Sequence, residues 1–123
     1  MSDWITQRKT RRTGFKYQTP KVSISFPRGE FRFYKLATDL MKFNRESQAL
    51  MFKLNKKDKS VIIDIENKLN DNYHLSDGKG YYRTTSKDLA ILFSDVLNLD
   101  FEGNYFFSVE KISELSFKMT LDS

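Results

Sequence analysis

Much of Gly29–Leu54 is said again at Gly80–Val109, and this recurrence constrains the fold more than any other feature of the chain. The first copy opens Gly29-Glu30-Phe31-Arg32 and the second Gly80-Tyr81-Tyr82-Arg83. Each runs from a short strand into one helix of apolar period, then closes on an alternating strand. The closing strands carry Leu50, Phe52 and Leu54 in one copy and Tyr105, Phe107 and Val109 in the other. A unit this short cannot bury its own apolar face, whereas two copies, or two copies in each of two chains, could bury it together. The expected fold class is α+β. Two strand-helix-strand repeats form a mainly antiparallel sheet or barrel with two short helices and a flexible basic N-terminal arm. The expected divisions are 1–20 for the arm, 21–66 for the first lobe and 73–123 for the second, within one compact domain.

Charge reinforces the division. Residues 1–21 hold six Lys/Arg against Asp3, a net +5. Residues 22–59 hold nine against four acids, again +5, and residues 60–123 hold six against eleven, which is −5. The total of +5 therefore hides a basic front and an acidic back, a pattern that suits a polyanion partner or subunits meeting by opposite ends. The absence of cysteine excludes disulfides, thiolate nucleophiles and zinc-thiolate sites. It fits a cytoplasmic setting, or a virion component. No apolar run approaches the roughly 18 residues of a membrane span, so no membrane partner is expected.

Along the chain, residues 1–20 have little apolar content and no period, and read as a mobile arm. Thr10–Tyr17 interleaves bases with Phe15 and Tyr17. Such a segment suits phosphates and exposed bases, and equally suits docking of Trp4, Phe15 and Tyr17 on a neighbouring subunit. Val22, Ile24 and Phe26 alternate on a strand, and Pro27-Arg28-Gly29 turns it into a second with Phe31 and Phe33 on one face. A helix is expected over Tyr34–Phe43, then strands at Ala49–Leu54 and Val61–Ile65 around a lysine-rich tip, Asn55–Ser60. In the second lobe Tyr73–Leu75 reads as a short strand and Asp77–Gly80 as a turn. Tyr81–Thr85 is a strand, and Thr85–Asp88 offers a cap for a helix over Lys87–Leu97. Leu89, Ala90, Leu92, Phe93, Val96 and Leu97 make that helix more buried than the first. Tyr105–Val109 closes the lobe. Leu115, Phe117, Met119 and Leu121 alternate in a last strand that completes the sheet or swaps into a partner.

The order of a glycine-led strand, a short Leu-rich helix, a polar turn and an apolar strand resembles the AbrB/MraZ-like swapped-hairpin DNA-binding proteins. The resemblance covers Lys21–Leu54 and, more faintly, Gly80–Val109. Glu30 follows Gly29 where members carry a base. Tyr34 and Thr85 stand near the place of a helix-opening proline, and Arg45-Glu46-Ser47 stands where Gly-Asp is usual. The resemblance implies an intertwined barrel of two halves, with DNA contacts on the first hairpin, at Lys21, Arg28, Arg32 and Lys35.

No catalytic constellation is legible. His74 is the lone histidine, with no second His or Cys for a transition-metal site or a triad. No phosphate-loop, dinucleotide or HExxH motif occurs. Asp64 and Glu66 share a strand face and could hold a hard cation, but a solvated face is the simpler reading. No enzyme, cofactor or metal is expected. The function taken forward is a small DNA-binding regulator or architectural factor. Arg8, Lys9, Arg11, Arg12 and Lys16 of the arm would act with Lys21, Arg28, Arg32 and Lys35 on phosphates, in a protein that associates with itself. One alternative is a structural or assembly protein, for example a viral or phage component. Another is a single-strand binder, resembling the Whirly proteins in outline, that uses Phe31, Phe33, Tyr81, Tyr82, Tyr105 and Phe107 as stacking platforms.

Overall fold

A computed structural model of the chain describes residues 19–122. Its elements run β1 (Lys21–Phe26), β2 (Glu30–Tyr34), α1 (Lys35–Met41), β3 (Gln48–Asn55), β4 (Ser60–Asn67), β5 (Ser76–Asp77), β6 (Tyr81–Thr85), α2 (Lys87–Leu97), β7 (Gly103–Ser113) and β8 (Ser116–Leu121). Among the described residues the strands form one antiparallel sheet in the order β3-β4-β8-β7-β1-β2-β6-β5.

Period-two alternation decides which way the sheet curls. Val22 and Ile24, Phe31 and Phe33, Leu50, Ile63, Phe107, Phe117 and Met119 all lie on one face and are buried. Each such aliphatic or aromatic side chain contributes about 1.5–3 kcal/mol when fully removed from water. The sheet wraps around this face as a half-barrel. Phe52 sits on β3 at one edge of the strand order, yet its ring lies 6.0 Å from Phe31 on β2, near the other edge. The backbones of Leu50 and Tyr73 exchange two hydrogen bonds of 2.9 Å, so the segment leading into β5 bridges back to β3.

α2 fills the interior. Phe93 is fully buried and meets the rings of Phe31, Phe52 and Phe107 at centroid distances of 5.1, 5.8 and 6.1 Å. The expected cap is present: the Ser86 hydroxyl accepts from the Leu89 N–H at 3.1 Å. The helix ends where Asn98 turns left-handed, a conformation asparagine tolerates well. α1 is shorter than the Tyr34–Phe43 expected from its apolar spacing. Lys42 is already left-handed, and the Phe43 N–H returns to the Thr38 carbonyl, which closes the helix after Met41. The expectation that Leu92 adds to the buried face of α2 is corrected: it is 45% exposed, because the barrel has room for Leu89, Phe93 and Leu97 but not for the next stripe round the helix.

The pairing has a regular pattern. Each half of the element order reads strand, strand, helix, strand, strand. β2 meets β6 with Arg32 opposite Arg83, flanked by Phe31 opposite Thr84 and Phe33 opposite Tyr82. β4 meets β8 with Ile62 opposite Lys118, flanked by Val61 opposite Met119 and Ile63 opposite Phe117. The terminal strand β8 lies between β4 and β7 of its own chain, so it completes the sheet. β7 runs on past Val109 to Ser113, a stretch of exposed residues held by pairing with β8 rather than by burial.

Candidate nucleic-acid interface

The outward-facing residues of β2 and β6 gather the basic side chains. The turn before β2 is tight, because the Gly29 N–H donates to the Ser25 carbonyl at 2.8 Å and the Gly29 carbonyl accepts from the Ser86 N–H at 2.9 Å. Gly29 has φ +82°, and a Cβ there would lie 2.7 Å from the Ser86 carbonyl oxygen. Glycine is therefore needed both for the conformation and for the approach to the start of α2.

Immediately after this turn, Glu30 is a buried carboxylate, 3% exposed. The Arg32 Nε donates to it at 2.6 Å, and Arg28 lies 3.8 Å away. Arg32 also lies 4.5 Å over the Tyr81 ring. The hydrogen bond to Glu30 raises the Arg32 pKa above its ordinary value, against the opposing effect of burial, so the guanidinium stays charged. Arg83 is directly opposite Arg32, is exposed, and makes no ion pair among the described residues. Like charges directly opposite across strands are destabilising. One carboxylate against Arg28, Arg32 and Arg83 leaves the cluster with an uncompensated positive charge.

The expected basic contacts are distributed as follows. Arg8, Lys9, Arg11, Arg12 and Lys16 lie outside the described residues. Arg28 and Arg32 belong to the cluster just described. Lys21 does not: its ammonium is paired with Asp122 and donates to Ser108 at 3.0 Å, tying β1 to β7 and to the residue after β8. Burial pushes the Asp122 carboxyl up, but the bonds from Lys21 and Ser108 outweigh it and hold the pKa below the ordinary value. Lys35 lies at the start of α1, 3.4 Å from Asp39.

Arg83 is the residue that sequence reasoning passed over. The recurrence gives Arg83 the same place in the second copy that Arg32 has in the first, but only the β2–β6 register puts the two side by side. At the β3–β4 tip Lys56, Lys57 and Lys59 are exposed and form no ion pair among the described residues. Lys53 is paired with Asp64 at 2.9 Å.

The remaining candidates are occupied. Asp64 accepts from Ser116 at 2.6 Å as well as pairing with Lys53. Burial raises its pKa, but those bonds hold it below the ordinary value, and both oxygens are already used by the protein. His74 lies 2.8 Å from the Leu69 carbonyl through Nε2 and fastens the loop after β4. Phe31, Phe33 and Phe107 are buried in the barrel, which removes them as stacking platforms, while Tyr81, Tyr82 and Tyr105 are half-buried. No helix among the described residues is long and apolar enough to cross a membrane. No protein-family model, curated protein or solved structure matches the chain.

Proposed function

We propose that the chain is a small non-enzymatic protein that binds double-stranded DNA through its phosphates, built as two degenerate repeats sharing one swapped-hairpin-like barrel. The two-repeat reading is supported by the strand-strand-helix-strand-strand order of each half, and by the pairing of Arg32 with Arg83, which hold the same place in the two copies. The observation that carries the DNA reading is the opposition of Arg32 and Arg83 on the outward side of the β2–β6 seam, with Arg28 beside them and Glu30 as their one carboxylate. A phosphate offsets the repulsion that the sheet otherwise carries, and guanidiniums suit phosphate oxygens because they bind two at once. Glu30 orients Arg32 and leaves Arg28 and Arg83 to meet the ligand. The lysines of the β3–β4 tip are a second, weaker contact.

The test is titration of labelled 30-mers, duplex and single-stranded, with the full chain and with Arg83→Ala and Lys21→Ala variants at low salt. The expected result is duplex binding weakened by Arg83→Ala and unaffected by Lys21→Ala. Absence of duplex binding at low salt refutes the proposal. Equal loss in both variants refutes the assignment of the contact to the seam.

One observation favours a second reading, an assembly protein that associates with itself. Ile112 and Leu115 are 54% and 53% exposed at the tip of the β7–β8 hairpin. In that case the molar mass in solution rises with concentration and Ile112→Ser keeps it at the monomer value.

A further inference from the structure

We infer that the outward face of α2 is a docking groove for the chain's own residues 1–18, in the same copy. The groove has a volume of about 670 Å³. It is lined by the apolar Ile91, Leu92, Leu99 and Phe101 and by the carboxylates of Asp88 and Asp95. Ile91 and Leu92 are 48% and 45% exposed and adjacent on α2, on the side away from buried Leu89, Phe93 and Leu97. Ile91 and Leu92 thus give α2 a small apolar surface with carboxylates beside it. Neither Asp88 nor Asp95 has an ion-pair partner among the described residues.

The occupant follows from what the groove asks for: apolar side chains followed closely by cations. Residues 1–18 supply Trp4 and Ile5, then Arg8, Lys9, Arg11 and Arg12. The indole and the isoleucine cover the apolar lining, and the four cations face the two unpaired carboxylates. Reach permits the same-copy arrangement. The described chain begins beside Val109, whose N–H donates to the Pro20 carbonyl, at the Lys21 end of β1. The groove lies towards the other end of that strand, where Phe26 packs on Phe101 at 5.2 Å. Six residues of β1 cover about 20 Å, and the roughly fourteen residues between Ile5 and Thr19 span up to about 45–50 Å when extended. Phe15 and Tyr17 are too near Thr19 to serve, so the contact falls to Trp4 and Ile5. Tethering gives the segment a high effective concentration at its own groove, which favours it over the same segment of another copy.

Trp4 is the single tryptophan of the chain, so its fluorescence reads the docking directly. The experiment uses the full chain without nucleic acid, and so is independent of the DNA reading. It compares the wild type with Leu92→Glu and with Asp95→Lys. The expected wild-type result is blue-shifted emission and acrylamide quenching several-fold weaker than for free tryptophan amide, unchanged over a hundredfold range of protein concentration. Both variants lose the shift while their far-UV circular dichroism and urea midpoints stay near those of the wild type. Water-like emission in the wild type overturns the proposal. So does a shift that survives in both variants, because the indole is then buried elsewhere. A shift that appears only as concentration rises overturns the same-copy assignment and gives the groove to a second copy's segment.

Discussion

Replacing Phe93 by alanine tests the claim that α2 is the inner filling of the barrel. The ring is fully buried and meets Phe31, Phe52 and Phe107, three rings carried on three different strands. Truncation of a buried Phe costs about 3–5 kcal/mol through lost transfer energy and the cavity left behind. Each tilted or edge-on aromatic contact adds about 0.5–1.5 kcal/mol beyond area burial. Those contributions overlap, so the expected loss lies near the top of the range, at about 4–5 kcal/mol. Native domains have about 5–15 kcal/mol in all, so the variant is close to unfolding and Phe93→Leu provides a milder companion. With an m-value of about 1.5 kcal/mol/M, the urea midpoint of Phe93→Ala falls by roughly 3 M. Leu92→Ala lies one position earlier on the same helix but on its exposed side, and costs under about 1 kcal/mol. Urea unfolding followed by circular dichroism measures both. A loss below about 1.5 kcal/mol at Phe93, or equal losses at the two positions, refutes the packing account.

Three further outcomes follow from the geometry. Gly29 and Gly80 share φ values of +82° and +81°, but a Cβ on Gly80 meets nothing within 4 Å whereas one on Gly29 strikes the Ser86 backbone. Gly80→Ala therefore costs about 1 kcal/mol and Gly29→Ala costs more, because the start of α2 must move; thermal or urea unfolding ranks the two. Lys21→Ala removes the half-buried pair with Asp122 and destabilises by about 1 kcal/mol in the same assay, with no change in DNA affinity. Asp122 and Asp64 have folded-state pKa values below the ordinary 3.8. Their stabilisation is therefore complete above that value and is lost as the pH falls through the lower folded values. Unfolding measured from pH 6 down to pH 2 should steepen below about pH 4, and Asp64→Asn with Asp122→Asn should flatten that limb.

The strands were legible because alternation is enforced by burial. Val22, Ile24, Phe31 and Phe33 must face one way, and a one-residue slip would turn the whole set outward. α2 was legible at both ends, from the Ser86 cap and the loss of apolar period after Leu97. β5 was not, since Ser76 and Asp77 are exposed and only the backbone of β6 identifies them as strand. The end of α1 was misplaced because Phe43 continues the helical spacing although Lys42 has already left the helix. Among the candidate contacts, sequence named the cations but not their partners. Lys21 meets Asp122 across 101 positions, a pairing no local pattern announces. Arg83 needed the β2–β6 register before its position opposite Arg32 had meaning.

The central claim, that the Arg28–Arg32–Arg83 cluster meets phosphates, is tested most directly by the salt dependence of duplex binding. Fluorescence anisotropy of a labelled 30-mer gives the slope of log K against log salt for the full chain and for Arg83→Ala. Loss of one phosphate contact should make the slope shallower by about 0.9 and weaken binding to all sequences alike. An unchanged slope, or the absence of salt-dependent binding in the wild type, contradicts the account.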